Sequence, residues 1–304
     1  MYYSHGVRSL VVTALTGLAL QTAPASSPIT FKANARALQP GELVILTVTV
    51  PAGTSAVQAQ AFSRTLPAFR VDARTWQVLA GIDLTTRPGA YSVKVAATLE
   101  AGSTSATHTL KVADKAFPTR KLTVDDAFVT PPASALARIE EDSKALERCW
   151  ANPSPEKLWA GPFVRPVPHD ANSAFGSRSV FNGQVRNPHS GADFRSPPGT
   201  PIKAPNAGRV VLAHDLYYSG GTVVIDHGLG LFSLFAHLSA IDAKEGAAVT
   251  SGEVVGRVGA TGRVTGPHLH WMVRVNGARI DPLSLLALMG VVPRSVEKSG
   301  DFDQ

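Results

Sequence analysis

From residue 28 to residue 113 the chain is built of short runs in which apolar and polar residues alternate, among them ELVILTVTVP, AVQAQAF, AYSVKVAATL and HTLKVA. A period of two sends successive side chains to opposite faces, which suits a half-buried strand and not a helix. Turn signals separate the runs at Pro40-Gly41, Pro51-Ala52-Gly53 and Pro88-Gly89. Several short strands at such spacing predict an immunoglobulin-like β-sandwich of roughly 85 residues. No constellation of catalytic residue types falls within 28–113, so its expected job is spacing, docking or covering the next domain.

The whole chain of 304 residues is long enough for two domains. Its beginning has the layout of an export signal: Arg8, the apolar run LVVTALTGLAL (10–20), and APA (23–25) as a small-x-small cleavage site. Residues 1–25 are therefore expected to be a Sec-type signal peptide cut after Ala25. The apolar run is too short for a bilayer span, which needs roughly 20 residues, so no stable membrane span is expected after cleavage. Export would deliver the protein to the periplasm or to the extracellular side and cell wall. Losing Arg8 and no acid takes the formal charge from +6 to +5. A modestly basic exported protein is drawn to anionic polymers. Nucleic acid is not the expected partner, because the lysines and arginines are scattered without a dense cluster or an aromatic stripe. A monomer is expected. The single cysteine, Cys149, excludes an intrachain disulfide and a thiolate zinc cluster, and beside Trp150 in a helical pattern it reads as a buried, inert thiol.

Residues 114–157 read as a linker. Within it, 115–132 suits an extended strap, and 134–150 a helix with Leu136, Ile139, Leu146 and Trp150 on one face and Ser134 as N-cap. From residue 158 the texture becomes β again, with GTPIKAP, AGRVVLAH, GGTVVIDHG, LFSLFAHL, GEVVGRVG and HLHWMVRVNG punctuated by glycine. Helical periodicity returns only at DPLSLLAL. The prediction for 158–290 is a compact antiparallel β domain, followed by a tail at 291–304. The fold class is thus mainly β, with a helix between two β domains.

Six of the eight histidines beyond residue 25 lie between 189 and 270. His189 and Asp193, four apart with Pro188 and Gly191 around them, suit a loop that bends round an ion. In PHLHW, a period of two puts His268 and His270 on one strand face while Leu269 faces the core. Either both bind metal, or one binds while its neighbour stands close by. His237, in LFAHLS, is expected to end another strand and is a candidate to join them. A catalytic zinc takes three such ligands and keeps a position open. His214 and His227 read as hydrogen-bonded structure.

The segments FGSR (175–178), HSGADF (189–194), GTPIKAPNAGRV (199–210), VVIDHG (223–228), LFAHLS (234–239) and GEVVGRVGATGRVTGPHLHW (252–271) occur in this order. The series closely resembles the lysostaphin/LytM-type zinc metallopeptidases, which cleave peptide cross-links of bacterial peptidoglycan. The resemblance covers roughly 160–285 and not the upstream β domain. It implies a LytM-type peptidase domain with one Zn2+ held by His189, Asp193 and His270, and with His237 and His268 as catalytic groups. Phe235 stands where that family carries tyrosine. No HExxH glutamate is present, so the histidines must handle the proton. The segment 174–187 is the expected groove wall, with Arg178 and Arg186 as candidate contacts for stem-peptide carboxylates. The leading reading is an exported zinc endopeptidase acting on peptidoglycan. The alternative is a latent or non-catalytic cell-wall binding or regulatory protein of the same fold.

Overall fold

The structure, a computed structural model, describes residues 29–123, 130–171, 175–185 and 187–290. The expected signal peptide, the 291–304 tail and Arg186 lie outside the described residues.

The N-terminal strands are β1 (Thr30–Ala35), β2 (Leu43–Thr49), β3 (Ala56–Ala61), β4 (Arg64–Arg70), β5 (Thr75–Gly81), β6 (Gly89–Leu99) and β7 (Gly102–Val112). All neighbours are antiparallel, in the order β1-β2-β5-β4-β3-β6-β7. Strand β4 changes partner midway: Arg64–Pro67 lie opposite β3 and Ala68–Arg70 opposite β5. That switch folds one ladder into two layers, β1-β2-β5-β4 over β3-β6-β7, the immunoglobulin-type division. Alternate residues such as Val57, Ala59 and Ala61 fill the space between them.

Strand β2 departs from simple alternation. Leu43, Val44, Ile45 and Leu46 are all buried in succession. Val44 and Leu46 belong to the sandwich core, whereas Leu43 and Ile45, with Leu79 of β5, join the core of the C-terminal half. The outer face of this sheet is therefore an interior surface of the molecule.

The second half begins with a strap strand, β8 (Thr119–Leu122), and the helix α1 (Leu136–Ala151). It continues through β9 (Arg178–Phe181), β10 (Gln184–Val185), β11 (Gly191–Phe194), β12 (Pro201–Lys203), β13 (Gly208–Leu216) and β14 (Gly220–Gly228). Then come β15 (Leu231–Ile241), β16 (Ala248–Val249), β17 (Val254–Val258), β18 (Leu269–Val275), β19 (Ala278–Ile280) and the helix α2 (Pro282–Met289). The main sheet runs β11-β18-β15-β14-β13-β16, with β17 joined to β12 and β15, and β19 on β18; every pairing in it is antiparallel. Strap strand β8 instead pairs in parallel with β9.

Helix α1 lies across one face of this sheet. Ala145, Leu146, Cys149 and Trp150 pack on Leu212, Leu216, Val224, Phe232, Leu234 and Ala236. Two sequence expectations change here. Leu136 is 54% exposed, because the helix touches the sheet mainly through its C-terminal half. Ala135, not Ser134, is the N-cap and makes no side-chain bond, since a 3-10 turn at Ala133–Ala135 takes Ser134 inside it. Cys149 is buried, and burial pushes its thiol up to about 11. Helix α2 starts conventionally, with Asp281 accepting from Leu283 N–H at 3.0 Å and Pro282 at the first turn.

The two halves meet through charges as well as apolar side chains. Arg279 donates to both oxygens of Asp83 at 2.8 and 3.1 Å. Arg36 bridges Glu42 and Asp281 at 2.8 and 2.7 Å. Leu43 N–H donates to Ser284 Oγ at 2.9 Å, and Asp281 N–H to Gly41 O at 2.7 Å.

Candidate metal centre

Strands β11 and β18 set Asp193 directly opposite His270, and β15 sets Ala236 opposite His270 on the other side. Odd residues of β18 (Leu269, Trp271, Val273, Val275) are fully buried, so His268 and His270 emerge on the opposite face. His189 precedes β11 and is anchored by its main chain: its N–H donates to Ser177 O at 2.9 Å, and its carbonyl accepts from Gly176 N–H at 2.7 Å.

The three side chains close into a triangle. His189 Nε2 lies 2.9 Å from His270 Nδ1, and each of these nitrogens lies 3.0 Å from Asp193 Oδ1. Two imidazole nitrogens and a carboxylate oxygen so placed form one face of a tetrahedron, the donor set that zinc takes. Donors about 2.1 Å from such an ion stand about 3.4 Å apart, so the triangle would open by a few tenths of an ångström on binding. Room for the His270 ring is made by Gly191, where a Cβ would come within 2.7 Å of His270 Cε1. The residues present therefore fit a zinc ion.

Binding an ion at this triangle would be coupled to proton release. Burial works against ionising Asp193, but hydrogen bonds from His189 and His270 outweigh it and hold the carboxyl well below its usual range. Burial also lowers His270. The anionic carboxylate offers its lone pairs to an ion directly, whereas His189 Nε2 and His270 Nδ1 offer theirs once the protons they share with Asp193 are released.

His237 reaches the site by an irregularity. Opposite β14, the pairs Gly221↔Leu238 and Val223↔Phe235 enclose one residue on β14 but two, Ala236 and His237, on β15. His237 takes φ +67°, a left-handed conformation uncommon outside glycine. Phe235 and Leu238, three apart, both enter the core, and His237 is turned out beside the other imidazoles. Its ring centroid is 4.9 Å from His268 and 6.0 Å from His270. The sequence reading placed His237 at a strand end; it sits at this bulge within β15.

The two remaining histidines share one arrangement. His237 Nδ1 is 3.0 Å from Thr261 O, and His268 Nδ1 is 2.9 Å from Gly266 O. A carbonyl can only accept, so each Nδ1 carries the proton and each Nε2 is left as an acceptor. His268 Nε2 stands 3.8 Å from Asp193 Oδ1. Burial, then the neighbouring His270, lowers His237 to about 4 and keeps it neutral.

The structure thus brings together His189, Asp193, His237, His268 and His270. Arg178 is not among them: it is exposed at the start of β9, with its main-chain N–H donating to Pro118 O at 2.9 Å. Sequence reasoning missed Thr261, whose carbonyl holds His237 and whose hydroxyl donates to Leu238 O at 2.8 Å and accepts from Gly221 N–H at 2.9 Å. It also missed the packing of Arg263 over the Tyr218 ring at 4.2 Å, next to that bond. Both residues sit in glycine-bounded turns whose pairing is set by tertiary contact. His227 is fully buried and satisfied on both nitrogens, by Ala207 O at 2.8 Å and Ser233 Oγ at 3.0 Å, while His214 is exposed on β13.

Comparison with known proteins agrees with this geometry. The sequence profile described as peptidase family M23 matches residues 187–282, which contain all five clustered residues. The chain is 44% identical over 97 residues to a DD-carboxypeptidase/endopeptidase, Mpg, of Neisseria meningitidis serogroup B. It is 37% identical over 123 residues to a peptidoglycan DD-endopeptidase, ShyA, of Vibrio cholerae serotype O1. Those stretches are 32% and 38% of this chain, but only 22% and 29% of the relatives' own lengths. A crystal structure assigned to peptidase M23 from Pseudomonas aeruginosa matches far more broadly, with 34% identity, 82% of this chain and 95% of that one covered, and a TM-score of 0.65. With a relative of this identity matched over nearly its full length, the chain belongs to peptidase family M23.

Proposed function

We propose that the protein is an exported zinc endopeptidase that hydrolyses peptide cross-links of peptidoglycan, with His189, Asp193 and His270 as metal ligands and His237 and His268 as catalytic groups. The observation that carries this reading is the triangle of donors at 2.9–3.0 Å with two carbonyl-anchored imidazoles at its edge. The relatives named as DD-endopeptidases or DD-carboxypeptidase/endopeptidase supply the substrate class.

When bound, zinc supplies Lewis acidity that polarises a carbonyl and acidifies water. The chain's own residues do the rest. Asp193 and the two ligand imidazoles fix the ion's position. His237 and His268, with Nδ1 protonated and tied to carbonyls, each present Nε2 to accept the proton released as water attacks. Having accepted it, the same imidazole can return it to the leaving amine or stabilise negative charge on the oxygen. The Thr261 and Gly266 carbonyls hold the required tautomers.

Muropeptide mass spectrometry of purified sacculi tests the reading. Zinc-loaded protein should remove cross-linked dimers, and chelator should abolish the loss. His189→Ala should lose bound zinc and activity together. His237→Ala should keep stoichiometric zinc and lose at least a hundredfold in rate, in the range of a removed general base. Intact dimers with zinc fully bound would reject the substrate, and a zinc-free His237→Ala would reject the division of roles.

A further inference from the structure

A histidine that binds metal ordinarily has its second ring nitrogen held by a carbonyl or carboxylate, which fixes the ring. His189 has no such hold: its Nδ1 is buried and makes no hydrogen bond among the described residues. Its orientation must come from its main chain, paired with Gly176 and Ser177, and from packing. What fixes 176–177 is therefore what fixes the ring.

That support comes from the strap. Gly176 has φ +77°, and a Cβ there would overlap the Phe117 ring, so the ring lies flat against the backbone that holds His189. One residue on, Pro118 O accepts from Arg178 N–H at 2.9 Å, and the parallel pairing of β8 with β9 begins. Phe117 is in turn packed against Phe175, with ring centroids 6.3 Å apart. Phe175 is buried against Gly41 of the N-terminal sandwich, where a Cβ would again overlap the ring. Lys115 sits 5.3 Å over Phe117 and 3.3 Å from Glu42, fastening the strap to the same sandwich.

We propose that Phe117 is a positioning residue for the metal ligand His189, and that through it the strap and N-terminal sandwich form part of the metal site's scaffold. The proposal rests on the reading of His189 as a zinc ligand.

The test measures zinc dissociation constants by chelator competition, visible spectra of the cobalt-substituted protein, and melting temperatures of the metal-free protein, all on the full chain. Phe117→Ala should weaken zinc about tenfold to a hundredfold, the range for losing a ligand's support, and should alter the cobalt spectrum. Phe117→Leu should fall between Phe117→Ala and the parent chain, and gives a folded variant if the alanine change does not. Trp150→Ala removes a comparable ring from α1, on a different face of the molecule, and should lower the melting temperature while leaving zinc affinity within threefold. Zinc affinity of both Phe117 variants within threefold of the parent overturns the proposal. So does an equal loss in Trp150→Ala, which would mean that general destabilisation is responsible. If instead His189→Ala binds zinc as the parent does, the ligand assignment itself has failed.

Discussion

His227 and His237 are both buried imidazoles lowered to about 4, yet only one is available for chemistry. His227 has partners on both nitrogens; among the described residues His237 has one, on Nδ1. The difference gives a pH prediction for His227. Burial lowers its pKa in the fold, so between about 6.5 and about 4 the unfolded chain binds a proton that the folded chain refuses. Its contribution is fully present above the unfolded value and is lost as pH falls through this window, by about 3 kcal/mol in all. His227→Gln should start less stable at pH 7 but lose less stability between pH 7 and 4, as followed by denaturant midpoints. An unchanged slope would mean that other groups govern that window. The sequence singled out all five clustered residues by spacing and resemblance. It did not say which of His268 and His270 joins His189 and Asp193 without the resemblance, because a period of two only says that the two histidines share a face.

Elements were legible where one partner decides their burial, and less so where two do. The alternating runs of β3 and β6 became strands with the expected faces. The helix at 136–151 formed, but the stripe that packs on the sheet runs through Ala145, Leu146, Cys149 and Trp150, of which Cys149 is buried and the others partly so, rather than starting at Leu136. Periodicity finds a helix, but which part of it touches a sheet depends on where the sheet lies. Leu136→Ala should therefore change stability by no more than about 0.5 kcal/mol, whereas Leu146→Ala should cost about 2 kcal/mol. Equal effects in chemical denaturation would refute this placement of the helix. The bulge in β15 is the other element-scale surprise. Nothing in LFAHLS marks an inserted residue, since histidine rarely adopts φ +67° without surrounding structure to enforce it.

At the scale of the molecule, the two β units share one interior. Gly81 approaches β18 and β19 so closely that a Cβ would lie 2.7 Å from Ala278 Cβ, and Leu43, Ile45 and Leu79 complete the C-terminal core. The full chain should accordingly unfold in a single calorimetric transition. A fragment of 158–290 alone should melt lower and expose apolar surface to a fluorescent probe, whereas two resolved transitions would show that the halves are independent. The Asp83–Arg279 pair adds a charge test. Burial opposes ionising Asp83, but Arg279 outweighs it and holds the carboxyl well below the usual range. Its contribution is fully present above the unfolded value of about 3.9 and is lost progressively as pH falls from there to the lower folded value. Asp83→Asn should thus cost roughly 2–3 kcal/mol at pH 7 and progressively less in strong acid. An undiminished difference at pH 2 would assign the cost to packing instead.

By itself the sequence determined the β character of both units, the helix between them and the identities of the clustered residues, because local period, turn chemistry and an ordered series of motifs are properties of neighbours along the chain. Tertiary structure alone decided that β2 is buried on both faces, that His237 is turned out by a bulge, and that the strap lies against the backbone of His189. Each of those depends on what a distant segment places against the residue, and no window along the chain carries that information.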